Sequence, residues 1–108
     1  MSNNTIIDNI EVLLTDFLDC NMNLLLKIRL EHDLDQGLIK EYLHLLNNIC
    51  INYETTQMLP KVLVNALINA RDTIEGAIGY FLKEDDRHKM KYLSLNFHGF
   101  MGRILSEE

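Results

Sequence analysis

The chain is 108 residues long, 47% apolar and 24% charged, which supplies one hydrophobic core and is too little for two domains or for a disordered polyelectrolyte. Residues 1–60 carry nine carboxylates against three basic side chains, whereas residues 61–108 carry seven of each, so the whole net charge of −6 lies in the first half. That balance repels nucleic-acid phosphates and anionic membrane surfaces and attracts basic proteins.

A first helix is expected over about residues 5–20. Ile6, Ile7, Ile10, Leu13, Leu14, Phe17 and Leu18 recur at three- and four-residue steps, the helical period, with Asn4 or Thr5 as its cap. Residues 22–32 are ambiguous. Leu24, Leu26, Ile28 and Leu30 alternate as in a strand, while Met22, Leu25, Leu26 and Leu30 fit a helix. A short second helix is the better reading, because no other run makes a strand partner. Asp33 or Asp35 then caps a helix over about 36–56, with Leu38, Ile39, Tyr42, Leu45, Leu46, Ile49 and Tyr53 as its stripe.

Pro60 suits a first helical turn, where its missing N–H is harmless. The helix beyond it carries Leu63, Leu67, Ala70, Ile74, Ala77, Ile78 and Phe81, and the polar run from Lys83 to Asp86 interrupts it. A last helix carries Met90, Leu93, Phe97, Met101 and Ile104, and Ser106 to Glu108 form an acidic tail. The expected fold is all-α: one domain over residues 1–108, built as a compact, mostly antiparallel bundle of four to five helices. Leu13, Phe17, Leu46, Leu67, Ile74 and Phe97 are its expected centre.

No motif names a catalytic activity, and the expectation is a protein that is not an enzyme and carries no cofactor. Glu41 and His44 have the Glu-x-x-His spacing of bundle metal sites. A complete site needs a second copy and two more glutamates, and both residues sit off the apolar stripe, so they are expected to face water without a metal. His32, His88 and His98 are isolated and fit surface histidines beside carboxylates. Gly76 and Gly79 lack the strand and the Lys-Ser/Thr pair of a phosphate loop. Lys83, Arg87, Lys89 and Lys91 form the one basic cluster, but Glu84, Asp85 and Asp86 cancel most of its field.

The start, MSNNTIIDN, has no basic n-region, no stretch reaches the roughly 20 apolar residues of a membrane span, and Cys20 and Cys50 form no C-x-x-C pair. A cytoplasmic location with reduced thiols is expected. The abundance of Asn, Ile and Leu is that of an A/T-rich bacterial or phage gene.

Two surfaces stand out. On the first helix, Asp8, Glu11, Asp16 and Asp19 ring Val12 with no basic residue to offset them. Like charges three or four residues apart cost helix stability, so this face is not tuned for folding. On the last helix, Tyr92, Leu95, Gly99 and Gly102 share the face away from the core. In size, charge and helicity the chain resembles small acidic proteins that neutralise a toxin or nuclease by covering its basic site, such as immunity proteins, antitoxins and phage-encoded inhibitors. A basic protein partner is expected; charge placement puts the contact at Asp8, Glu11, Val12, Asp16 and Asp19, with Tyr92 and Leu95 as the next surface, and no nucleic-acid or membrane partner is expected. The alternative is a homodimeric helical adaptor or regulator.

Overall fold

The computed structural model describes residues 2–31, 34–53, 58–81 and 83–105, with side chains from residue 10 onward except those of Glu31 and Tyr80. Among the described residues it is an all-α bundle of four helices: α1 (Ser2–Leu26), α2 (Gln36–Tyr53), α3 (Lys61–Ala77) and α4 (Glu84–Ile104). A π-helical turn, Lys27–Glu31, extends α1, and a 3-10 turn, Ile78–Tyr80, extends α3. Among the described residues, α1 and α4 each pack against both α2 and α3, so α1 and α4 occupy opposite corners. No helix of the described residues is long and apolar enough to cross a membrane.

The first two expected helices are one. Nothing between Asp19 and Leu26 breaks the chain, since neither Gly nor Pro occurs there, and α1 runs without interruption from Ser2. Asn4 and Thr5 therefore lie inside the helix rather than at its cap. Continuity also fixes the phase. Phe17, Cys20, Asn21, Leu24, Leu25 and Ile28 follow one another at helical steps and are buried. Met22, Leu26 and Leu30, expected on the inner stripe, fall on the other side and are exposed.

The α2 start is capped by Asp35, whose Oδ1 accepts from the Leu38 N–H at 3.1 Å while its carbonyl accepts from the Ile39 N–H at 2.9 Å. Asp33 lies outside the described residues, as do His32, residues 54–57 and the tail 106–108. Pro60 stands just before α3, with extended backbone (φ −59°, ψ 136°), and its carbonyl accepts from Leu63 and Val64. The stripe expected to carry α3 through Phe81 ends as α-helix at Ala77. Phe81 itself is extended (φ −91°, ψ 120°) and still buried, where it closes that end of the core. Glu84, Asp85 and Asp86 form the first turn of α4 instead of a loop, as favours carboxylates near a helix N-terminus.

At the centre, three aromatic rings from three helices form a column. The Tyr42 ring of α2 lies between Phe17 of α1, 5.4 Å away, and Phe97 of α4, 6.4 Å away, both stacked. The Tyr42 hydroxyl donates to Asn21 Oδ1 at 3.0 Å, so one buried polar group satisfies another. Leu46, Leu67 and Ile74 are buried as expected, whereas Leu13 sits at the margin, half-buried. Ala66, Ala70 and Ala77 are buried on α3, where small side chains let neighbouring helices approach closely.

Candidate functional site: an acidic groove between the first two helices

The outer side of α1 carries Val12, Asp16, Asp19 and Asn23 in one row at steps of four, three and four residues, all exposed. Val12 is 57% exposed, an apolar side chain standing among carboxylates. Glu11 and Thr15 flank the row and are exposed too. The side chain of Asp8 lies outside the described residues.

Beside this row α1 meets α2. The seam holds a shallow hollow of about 330 Å³, lined by Asp16, Asp19, Cys20 and Asn23 of α1 and by Leu38, Glu41 and Leu45 of α2. Two carboxylates thus stand on one wall and a third on the other, above a floor made by two leucines and a buried thiol. Among the described residues, no basic side chain lines the hollow. Among the described residues, none of the three carboxylates takes part in an ion pair.

The local field is visible in Cys20. Burial, and after it the negative charge of Glu41, push the Cys20 thiol up to about 11, so it stays protonated and unreactive at neutral pH. Tyr42, directly behind, is likewise raised above its ordinary value by burial and by Cys20. A concave site whose charges are all negative, set over apolar side chains, concentrates cations. The stem of a Lys or Arg side chain suits Leu38 and Leu45, and its head suits the carboxylates.

Sequence reasoning missed Glu41 as part of this surface, because the Glu-x-x-His spacing drew it toward metal chemistry. The signal was there in the phase: Leu38, Glu41 and Leu45 are spaced three and four residues apart, so Glu41 borders the apolar stripe of α2 rather than lying opposite it. His44, its partner in that spacing, is exposed and lies 3.5 Å from Asn48 through Nε2. Among the described residues no cluster of three or more His, Cys, Asp or Glu is placed to hold a metal ion.

Two further described histidines stand beside carboxylates. His88 faces Glu84 at 3.9 Å within α4, and His98 pairs with Glu75, tying α4 to α3. In the basic cluster, Arg87 turns inward and donates to the Phe81 carbonyl at 3.2 Å, where it holds the entry into α4. Tyr92 and Leu95 are 63% and 74% exposed, on the corner of the bundle opposite α1. The structure therefore brings Asp16 and Asp19 together with Glu41, leaves Val12 outside the hollow on the same row of α1, and puts Tyr92 and Leu95 on a separate surface. The chain matches no family model, no curated protein and no solved structure.

Proposed function

We propose that this protein is a non-catalytic binding module whose acidic α1–α2 surface engages a basic protein, and that it acts as an immunity- or antitoxin-type inhibitor of a toxin or nuclease in the bacterial cytoplasm. One observation carries the reading. Asp16, Asp19 and Glu41 converge from two helices on one hollow without a basic side chain among its lining residues. Self-repulsion at that hollow is relieved when a partner's Lys or Arg enters it. An enzyme that acts on nucleic acid needs a basic groove to hold phosphate, so a protein that covers such a groove is acidic where they meet. Glu11 and Val12 extend the contact along α1, and Asp8 extends it further by its place in the sequence.

The test is a paired capture from the host. The wild-type chain and an Asp16→Lys/Asp19→Lys/Glu41→Lys variant are used as baits at equal loading. The expected result is a basic protein held by the wild type and lost from the variant, whose toxic or nuclease activity falls when the wild-type chain is added back. A basic toxin held equally by both baits would remove the acidic hollow from the contact.

A further inference from the structure

On α4, Glu84, Asp85, His88, Tyr92, Leu95, Gly99, Gly102 and Arg103 fall within an arc of about 100° on the helical wheel, and all are exposed. The order along this face is two carboxylates, an imidazole, two large side chains (Tyr92 and Leu95), two glycines and a guanidinium. The glycines need a reason, since glycine in a helix costs stability relative to alanine. Packing inside the chain does not provide it: a Cβ placed on Gly99 or Gly102 meets nothing within 4 Å.

We propose that this face is a homodimer interface, in which α4 packs antiparallel against α4 of a second copy about a two-fold axis. The occupant follows from charge and symmetry. An isologous antiparallel pair sets the first-turn carboxylates of one α4 beside Arg103 in the last turn of the other, twice. The register that places Tyr92 against the partner's Leu95 also places Gly99 against the partner's His88, Gly102 against the partner's Asp85, and Glu84 against the partner's Arg103. The large side chains meet each other, the bare backbone meets side chains that need room, and the charges are opposite. A parallel pair would set like charge on like charge. Because α4 lies at the corner opposite α1, the dimer leaves both acidic hollows open and displays them on opposite sides.

The experiment is sedimentation equilibrium of the purified chain and four variants, each checked for helical content by circular dichroism. One helix pair makes a small interface, for which a micromolar Kd is appropriate, so loading at about 0.2 mM populates the dimer. The expected wild-type mass is twice the chain's 12.6 kDa. Gly99→Leu fits the monomer, since the added Cβ is in open space, and should leave only monomer. Glu84→Arg or Arg103→Glu alone should weaken association by at least about tenfold, because each reversal acts at both symmetry-related pairs. Glu84→Arg and Arg103→Glu together should restore it to within about threefold of wild type, since the pair is rebuilt with signs exchanged. A wild-type monomer at about 0.2 mM, a dimer indifferent to Gly99→Leu, or a double reversal no tighter than Arg103→Glu alone would each overturn the proposal.

Discussion

The two sides of α1 are built on opposite principles. The inner side places Phe17 against Tyr42 and aims Asn21 at the Tyr42 hydroxyl, and among the described residues no buried side-chain nitrogen or oxygen lacks a hydrogen-bond partner. The outer side sets Asp16 beside Asp19 on the same helix and Glu41 across a seam, with none of the three in an ion pair among the described residues. One side is optimised for holding the chain together. The other tolerates a small cost in helix stability to keep a surface charged. Residues of the first kind are expected to govern folding, and residues of the second kind to govern association, with little crossover.

Truncating the column should have the largest effect. Phe17→Ala or Phe97→Ala is expected to cost about 3–5 kcal/mol in urea denaturation, the usual penalty for an emptied aromatic site. A loss below about 1 kcal/mol would mean that the ring is not packed. The polar link comes next. Tyr42→Phe leaves the Asn21 amide oxygen, on a side chain only 6% exposed, without its donor. The expected cost is about 1–3 kcal/mol. Adding Asn21→Leu should recover part of it, and no recovery in the double variant would show that the hydrogen bond is not the cause.

Alkaline pH probes the same interior. Cys20 is pushed from 9.0 to about 11, and Tyr42 is raised from its ordinary 10.0. A thiol or phenol whose folded pKa is raised keeps its proton longer in the folded state than in the unfolded one. Its contribution is complete below the unfolded value and is lost as pH rises toward the folded value. Stability should therefore be flat near neutrality and fall between about pH 9 and 11, at up to about 1.4 kcal/mol per pH unit for each group. Urea midpoints measured from pH 7 to pH 11 test this, and a flat profile would contradict the burial of both groups. The smallest effect belongs to the outer side. Asp16→Asn with Asp19→Asn should change stability by no more than roughly 0.2–0.5 kcal/mol, in the stabilising direction, because a like-charge i,i+3 pair is removed. A larger loss would show that the acidic row holds the fold.

Much of the interior was legible in the sequence. The stripes of α2, α3 and α4 are buried essentially as their spacing implies, since periodicity reports which side of a helix meets the core. Local pattern failed where helix phase is inherited from further away. Residues 22–30 are apolar on more than one side, so their own spacing does not choose a face. The unbroken helix running through Phe17 chooses it, burying Leu24, Leu25 and Ile28 and exposing Met22, Leu26 and Leu30. Asn21 was invisible for a related reason: a polar residue is buried only because a tyrosine 21 positions away reaches it. The charged row on α1 could be read directly. The share of Glu41 in it could not, because which two helices lie side by side is a tertiary fact.

The central claim is that the α1–α2 hollow recruits a basic partner through charge, and the most direct measurement is the association rate constant for the captured partner across a salt series. Surface plasmon resonance would compare the wild type with Asp16→Lys/Glu41→Lys and with Val12→Arg. Opposite charges speed encounter, and salt screens them beyond about 10 Å at 0.1 M. The expected result is a wild-type rate constant that falls steeply with salt, both variants associating much more slowly at low salt, and curves that converge at high salt. Wild-type rates for both variants at low salt would contradict the claim and leave the acidic row a solubilising surface.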